Sequence, residues 1–229
     1  MHYPSAAAAI LAVLGGVAQA APAARTSSSL LRSTSSTTTS RGVRLRVQDG
    51  SSTTTPLYLG FQRIAQGVNI AIARPSSTSG DTSAAAAPVF YQDGADPASS
   101  TVKTDIPGVY PLGIAVQGPD EFDSQFPAEH NVGVNVNGAT EGLSITASAL
   151  SGPSGSAAAA GGSYLVCERR VFVGGPVPST LQVVRFRYEG EAVPAGCVEV
   201  KLVPECAVLA ALPEGSSWDH DEAVELQCA

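Results

Sequence analysis

Strict alternation late in the chain restricts its possible folds more than any other feature. In Leu181-Gln182-Val183-Val184-Arg185-Phe186-Arg187-Tyr188, the residues Val184, Phe186 and Tyr188 fall on one side, and Arg185 and Arg187 on the other. Val198-Glu199-Val200-Lys201-Leu202 repeats the pattern, with Val198, Val200 and Leu202 set against Glu199 and Lys201. A period of two marks a half-buried antiparallel strand, because successive side chains point to opposite faces. The connection at 189–196 contains Gly190, Pro194 and Gly196, all turn residues. The economical reading is a long hairpin with a charged outer ladder, Arg185 and Arg187 lying near Glu199 and Lys201. Exposed cross-strand pairs of this kind contribute only about 0.2–1 kcal/mol each, so they set register more than stability.

The preceding sequence carries the same pattern, diluted with Gly, Ser and Ala. Strands are expected at 43–47, 57–61, 68–73, 89–91, 110–116, 132–137 and 143–146. Pro111 suits an edge or the start of its strand, and Asn137-Gly138 is a turn signal. Gly/Ser/Ala/Thr-rich insertions interrupt the pattern near 74–87 and 151–162. About ten short strands with frequent turn signals predict an all-β fold, an antiparallel sandwich or barrel. The tail at 213–228 reads as one short helix, Ser217 capping the turn that begins at Trp218.

Compartment follows from the N-terminus. Residues 6–17 are an apolar run ending in Ala18-Gln19-Ala20, an A-x-A-like cleavage signal. A membrane-spanning helix needs roughly 20 apolar residues, so residues 1–20 are expected to be a signal peptide and the protein secreted. Residues 21–41, rich in Ser and Thr, are expected to be a disordered stalk, and 42–229 a single extracellular β domain.

Four cysteines in an exported chain imply two disulfides, with three possible connectivities. We expect Cys167–Cys197 and Cys206–Cys228, each worth about 3–4 kcal/mol on a chain-entropy model. Period-two counting puts Cys197 on the charged side of its strand, which suits a strand end or a bulge. A zinc site is disfavoured, since the chain has no C-x₂-C pair. The net charge of -7 and the presence of only two lysines, Lys103 and Lys201, argue against nucleic acid or an anionic membrane as partner.

A set of short motifs also carries a resemblance. Leu57-Tyr58-Leu59, Gln66-Gly67-Val68-Asn69, Val134-Asn135-Val136, Glu141-Gly142-Leu143 and Leu165-Val166-Cys167-Glu168 are followed by Val193-Pro194, Cys197-Val198-Glu199-Val200 and Leu202-Val203-Pro204. In this order they resemble a family of secreted fungal proteins carrying a domain of unknown function, over about residues 42–205 and most strongly over 164–204. That family's pattern has a cysteine followed by a carboxylate and aromatics, answered by a cysteine at the start of the last strand. The resemblance therefore supports the Cys167–Cys197 pairing. Arg169-Arg170 stand where aromatics are expected, and Cys206 and Cys228 look like additions. The resemblance implies export and no particular chemistry.

The acidic loop at 119–130 is the best place for a ligand. Glu121 or Asp123 with Glu129 offers the two carboxylates of glycoside hydrolysis, and His130 adjoins them. The competing and favoured reading is a solvated loop pinned by Phe122 and Phe126, because no apolar cleft that would raise a carboxylate's pKa is visible. Asp219-His220-Asp221-Glu222 could offer metal ligands, but the spacing fits no Ca²⁺ loop and suits the first turn of a helix. Arg169, Arg170, Arg185 and Arg187 are either a patch for an anionic polymer or the outer faces of two strands. With His130 and His220 alone outside the leader, a Ser-His-Asp triad has little material. No catalytic set, metal or cofactor is expected. The expected function is non-enzymatic contact with an extracellular protein or glycan; the alternative is glycan binding or cleavage by the 119–130 loop, aided by Trp218.

Overall fold

The computed structural model describes residues 38–50, 55–76, 87–106, 110–154 and 161–229. They form β1 (Thr38–Ser40), β2 (Gly42–Gln48), β3 (Leu57–Ala65), β4 (Val68–Pro75), β5 (Phe90–Asp93) and β6 (Thr101–Ile106). Then come β7 (Tyr110–Val116), β8 (His130–Asn135), β9 (Gly162–Val171), β10 (Ser179–Tyr188), β11 (Cys197–Ala207) and β12 (Leu226–Cys228). The fold is all-β, as expected. Ten strands make one antiparallel sheet in the order β10-β9-β11-β2-β3-β4-β8-β7-β6-β5, and β1 pairs separately with β12. The two ends of the sheet fold back. Val183 of β10 pairs with Ile72 of β4, Phe186 with His130 of β8, and Phe90 of β5 with Val43 of β2. The sheet thereby closes into a nine-strand barrel, which removes the open edges that would otherwise recruit another chain.

Alternation explains the interior. Val43 and Leu45 of β2, Leu112 and Ile114 of β7, and Val184 and Phe186 of β10 are all buried in the main core. Each such side chain is worth about 1.5–3 kcal/mol of burial. Phe186 meets Tyr164 and Tyr188 edge-on, at 5.2 and 5.0 Å between ring centres. The opposite face of β4 and β10 carries a second, smaller cluster of Ile70, Ile72 and Val183, against which Ile64, Val171 and Leu181 pack. Gln66-Gly67 turns β3 into β4 directly, with Gly67 at φ +72°, a conformation that costs a glycine little.

Both expected disulfides are present, Cys167–Cys197 and Cys206–Cys228. Cys197 is the first residue of β11 and lies opposite Cys167, the strand-end position that its place on the charged side demanded.

Several expectations need correction. The late strands do not form a β10–β11 hairpin; β9 lies between them and pairs with both. Periodicity assigns faces and leaves the choice of neighbour open, and the 189–196 connection crosses over β9. One rung of the expected charged ladder survives across that strand: Arg187 Nε donates to Glu199 Oε1 at 2.7 Å, and Ser163 of β9 donates to the same oxygen at 2.8 Å. Arg185 is buried and belongs to a different set of contacts. Val198 is exposed.

The 213–228 tail contains no helix. It is irregular up to an isolated bridge between Ala223 and Asp93, then joins β12. Side-chain contacts to the barrel, described below, override the local helical signal. The strand expected at 143–146 reduces to a single bridge between Ile145 and Leu150, whereas β6 was not expected at all. β1 falls inside the 21–41 stretch read as stalk. The expected signal peptide, the rest of that stalk and the centres of both insertions (77–86 and 155–160) lie outside the described residues.

Candidate functional site

The 119–130 loop leaves β7 and re-enters the barrel through β8. Three of its polar side chains, those of Asp123, Glu129 and His130, turn toward the barrel, while Glu121, Ser124 and Gln125 stay exposed. Asp123 Oδ1 accepts from the backbone N–H groups of Gln125 (2.7 Å) and Phe126 (3.0 Å), and the Asp123 N–H donates to the carbonyl of Glu129 at 2.9 Å. These bonds draw the loop tight, so Glu129 is carried beneath it and is only 2 % exposed.

Beneath the loop lie outward-facing residues of β9 and β10. Glu129 Oε1 accepts from Arg169 Nε at 2.9 Å and from Arg169 Nη2, while Glu129 Oε2 accepts from Arg185 Nε at 3.1 Å. Asp123 Oδ2 lies 3.3 Å from Arg185 Nη2. Two carboxylates thus meet two guanidiniums, and the charges cancel. Burial of these ions without each other would be costly. The ring of Phe126 lies 5.0 Å from the Arg169 guanidinium carbon and 5.8 Å from that of Arg185, an arrangement worth about 0.5–1 kcal/mol or more when desolvated. Burial lowers the Arg185 pKa below its ordinary value, opposed by Asp123 and Glu129. Arg185 Nη1 is buried and has no hydrogen-bond partner among the described residues.

His130 holds the other side of the loop. Its fully buried ring places Nδ1 2.6 Å from the Glu121 carbonyl and Nε2 3.0 Å from Glu191 Oε1. Both ring nitrogens face oxygen atoms, one a backbone carbonyl and one a carboxylate. Phe122 and Tyr188 enclose it at 4.8 and 4.9 Å between ring centres. The Tyr188 hydroxyl donates to the Gln117 carbonyl at 2.8 Å, and its pKa is raised by burial, with Glu191 and Glu121 adding to the effect.

Each expected site residue can now be placed. Glu129, Asp123 and His130 are brought together as an internal lock, and Glu121 stays at the surface, with Oε2 3.3 Å from the Gly118 nitrogen. Both oxygens of Glu129 are engaged by guanidiniums, Oε1 by Arg169 and Oε2 by Arg185. Of the four arginines proposed for an anionic polymer, Arg169 and Arg185 neutralise this lock and Arg187 pairs with Glu199. Glu129 also lies within 4.8 Å of the sulfurs of Cys167 and Cys197. Both sulfurs are spent in a disulfide, so this cluster offers no thiolate to a metal.

The 219–222 tetrad is likewise occupied. His220 Nε2 lies 2.7 Å from Asp105 Oδ2, and the Trp218 indole donates to Asp105 Oδ1 at 3.1 Å. The Tyr91 hydroxyl reaches the same Oδ1 at 3.3 Å, and Asp219 Oδ1 accepts from the Asp221 N–H at 3.0 Å. These contacts fasten the tail to β5 and β6 and leave no converging ligand set.

Beside the acidic loop opens a groove of about 640 Å³, within the range usual for ligand sites. The loop contributes Asp123, Gln125 and Phe126, β8 contributes Asn131 and Asn135, and Ile64 and Phe172 supply apolar wall. Arg185 lines it too, whereas Trp218 does not. Gly133 forms part of the lining. A Cβ at that position would stand 2.5 Å from Asn135 Nδ2 and 3.1 Å from the Asn69 carbonyl, so only glycine leaves the Asn135 amide in place. Nothing in the residue pattern signalled the convergence of Arg169 and Arg185 on Glu129.

No curated protein and no solved structure matches the chain. Residues 4–206 match a protein-family model described as a domain of unknown function (DUF7907), which includes the 42–205 region carrying the sequence resemblance, and the chain belongs to that family.

Proposed function

We propose that the chain is an exported fungal protein that acts by binding an extracellular partner and not by catalysis, with the groove beside the 119–130 loop as its contact surface. The observation that carries this reading is the state of Glu129. The carboxylate best placed for chemistry is buried and held by two guanidiniums, while the groove next to it retains open polar groups. Buried charge spent in this way fixes the shape of a wall; it does not supply a reactive group. Export is supported by the two disulfides, which persist in oxidising compartments, and by the apolar run ending at Ala20. The fungal assignment rests on the motifs within 42–205.

The test is expression of the full chain with a C-terminal tag in a secreting fungal host. The tagged protein is expected in the medium, oxidised at all four cysteines and beginning near residue 21. The purified protein is expected to turn over nothing in a glycoside-hydrolase panel. Retention inside the cell would remove the export reading. A hydrolytic activity abolished by Glu121→Gln or Glu129→Gln would replace binding with catalysis.

A further inference from the structure

We infer that the groove beside the 119–130 loop is a site for a neutral saccharide segment; this rests on the groove being the contact surface proposed above and goes on to name its ligand class.

The groove's unspent polar groups are mostly carboxamides. The side chains of Asn131 and Gln125 make no hydrogen bond to the described protein. Gln117 and Asn135 use only their oxygens, to fix the backbone N–H groups of Asn131 and Asn69 at 2.7 Å each. A carboxamide donates and accepts from one planar group, which is what a sugar hydroxyl also does, so the two match without any net charge. Phe172, 52 % exposed on the same wall, offers an apolar ring for the C–H face of a pyranose.

Charge argues against an anionic ligand. The lining contains Glu121, Asp123 and Arg185, and Arg185 is already matched by Asp123 and Glu129, so Glu121 leaves the groove slightly negative. The chain as a whole is at -7, which repels polyanions further.

Backbone geometry argues against an extended peptide. A peptide that adds to a sheet needs an edge strand with free N–H and C=O groups. β8 forms one side of the groove and is paired with β7 on one side and with β10 and β4 on the other. Beyond that pairing, Asn135 and Asn69 are bonded across the gap, with the Asn69 Nδ2–H on the Val134 carbonyl at 2.7 Å.

The experiment is titration calorimetry on the oxidised full chain with chitin, β-glucan and mannan oligosaccharides as probes. An oligogalacturonate and an unbiased peptide mixture serve as the other arms. At least one neutral oligosaccharide is expected to bind. Phe172→Ala and Asn131→Ala are each expected to weaken it about threefold to tenfold. Val208→Ser, at an exposed site outside the groove lining, is expected to change nothing. Asn131→Asp, which keeps the shape, and equal thermal midpoints for all variants separate lost contact from lost fold.

Absence of binding by every neutral oligosaccharide overturns the assignment. So does saccharide binding that is indifferent to Phe172→Ala and Asn131→Ala. Peptide binding lost in Phe172→Ala also overturns it, yet leaves the groove standing as a contact surface. Preference for the oligogalacturonate would reverse the charge argument and overturn it as well.

Discussion

The loop at 119–130 and the tail at 213–228 are fastened to the barrel with similar parts. Each sets a histidine against a carboxylate, His130 with Glu191 and His220 with Asp105. Each lies close to a disulfide: Arg169 of the loop's lock contacts Cys197 Sγ at 3.1 Å, and the tail ends in Cys228. They differ in what is buried. The Glu129 side chain is 2 % exposed and Arg185 3 %, whereas Asp105 and His220 keep 13 % and 11 %. The loop's lock centres on one carboxylate and one guanidinium that water barely reaches, whereas the tail's side-chain bonds converge on a partly wet carboxylate and are joined by backbone bonds and the Cys206–Cys228 bridge. A desolvated ion set tolerates no missing member, while a partly wet carboxylate can exchange a lost partner for water. The wall that borders the groove is therefore the one held in place most strictly.

Substitutions can break or sharpen this contrast. The largest effect is expected from Glu129→Ala, which removes the carboxylate shared by Arg169 and Arg185 and leaves Arg185 with Asp123 alone. Chemical denaturation should show a loss of about 3–5 kcal/mol, and a loss no larger than that of Asp105→Ala would erase the distinction. Replacing Cys206 and Cys228 together by Ser should cost about 3–4 kcal/mol by the same measurement, as the bridge closes a 22-residue separation. Asp105→Ala frees Trp218, His220 and Tyr91 together, for about 1–3 kcal/mol, and should raise tryptophan solvent exposure in fluorescence quenching without disturbing the loop.

The smallest effect belongs to Glu199, whose pKa is lowered chiefly by the hydrogen bond from Arg187 and then by that from Ser163. A lowered folded pKa means that its stabilisation is present above the ordinary carboxylate value and is lost as pH falls through the folded one. The stability gap between wild type and Glu199→Gln should thus close below about pH 4.3. At neutral pH that gap should stay within about 0.2–1 kcal/mol, since the pair is exposed. A larger gap at neutral pH would mean that surface pairs, too, hold the barrel.

What could be read from the sequence divides along physical lines. Alternation identified β2, β7 and β10 because one side of each strand is apolar and packs into a single interior. Cysteine spacing pointed to both disulfides. The order of strands was hidden, since a period of two says which residues share a face and nothing about which strand comes next. β6 escaped because its inner positions are Val102 and Thr104, and a threonine facing the core blurs the pattern; its hydroxyl reaches the Val89 carbonyl at 2.8 Å. The tail looked helical because a cap and an acidic first turn are local signals, whereas Trp218 and His220 answer to Asp105, 113 and 115 positions away. The candidate site was half legible. The acidic loop stood out, but charged residues read as surface, and nothing local announced that Arg169 and Arg185, 40 and 56 positions from Glu129, would close over it.

The pairing of β1 with β12 has a mechanical consequence. Thr38 lies opposite Cys228, Cys228 is bonded to Cys206, and Cys206 lies opposite Val43 of β2. Tension applied at the two extremities of the domain would run through this short circuit of one ladder and one sulfur bridge. None of the residues on that path lines the groove, so a molecule pulled at Thr38 and Cys228 would carry the load without distorting the groove.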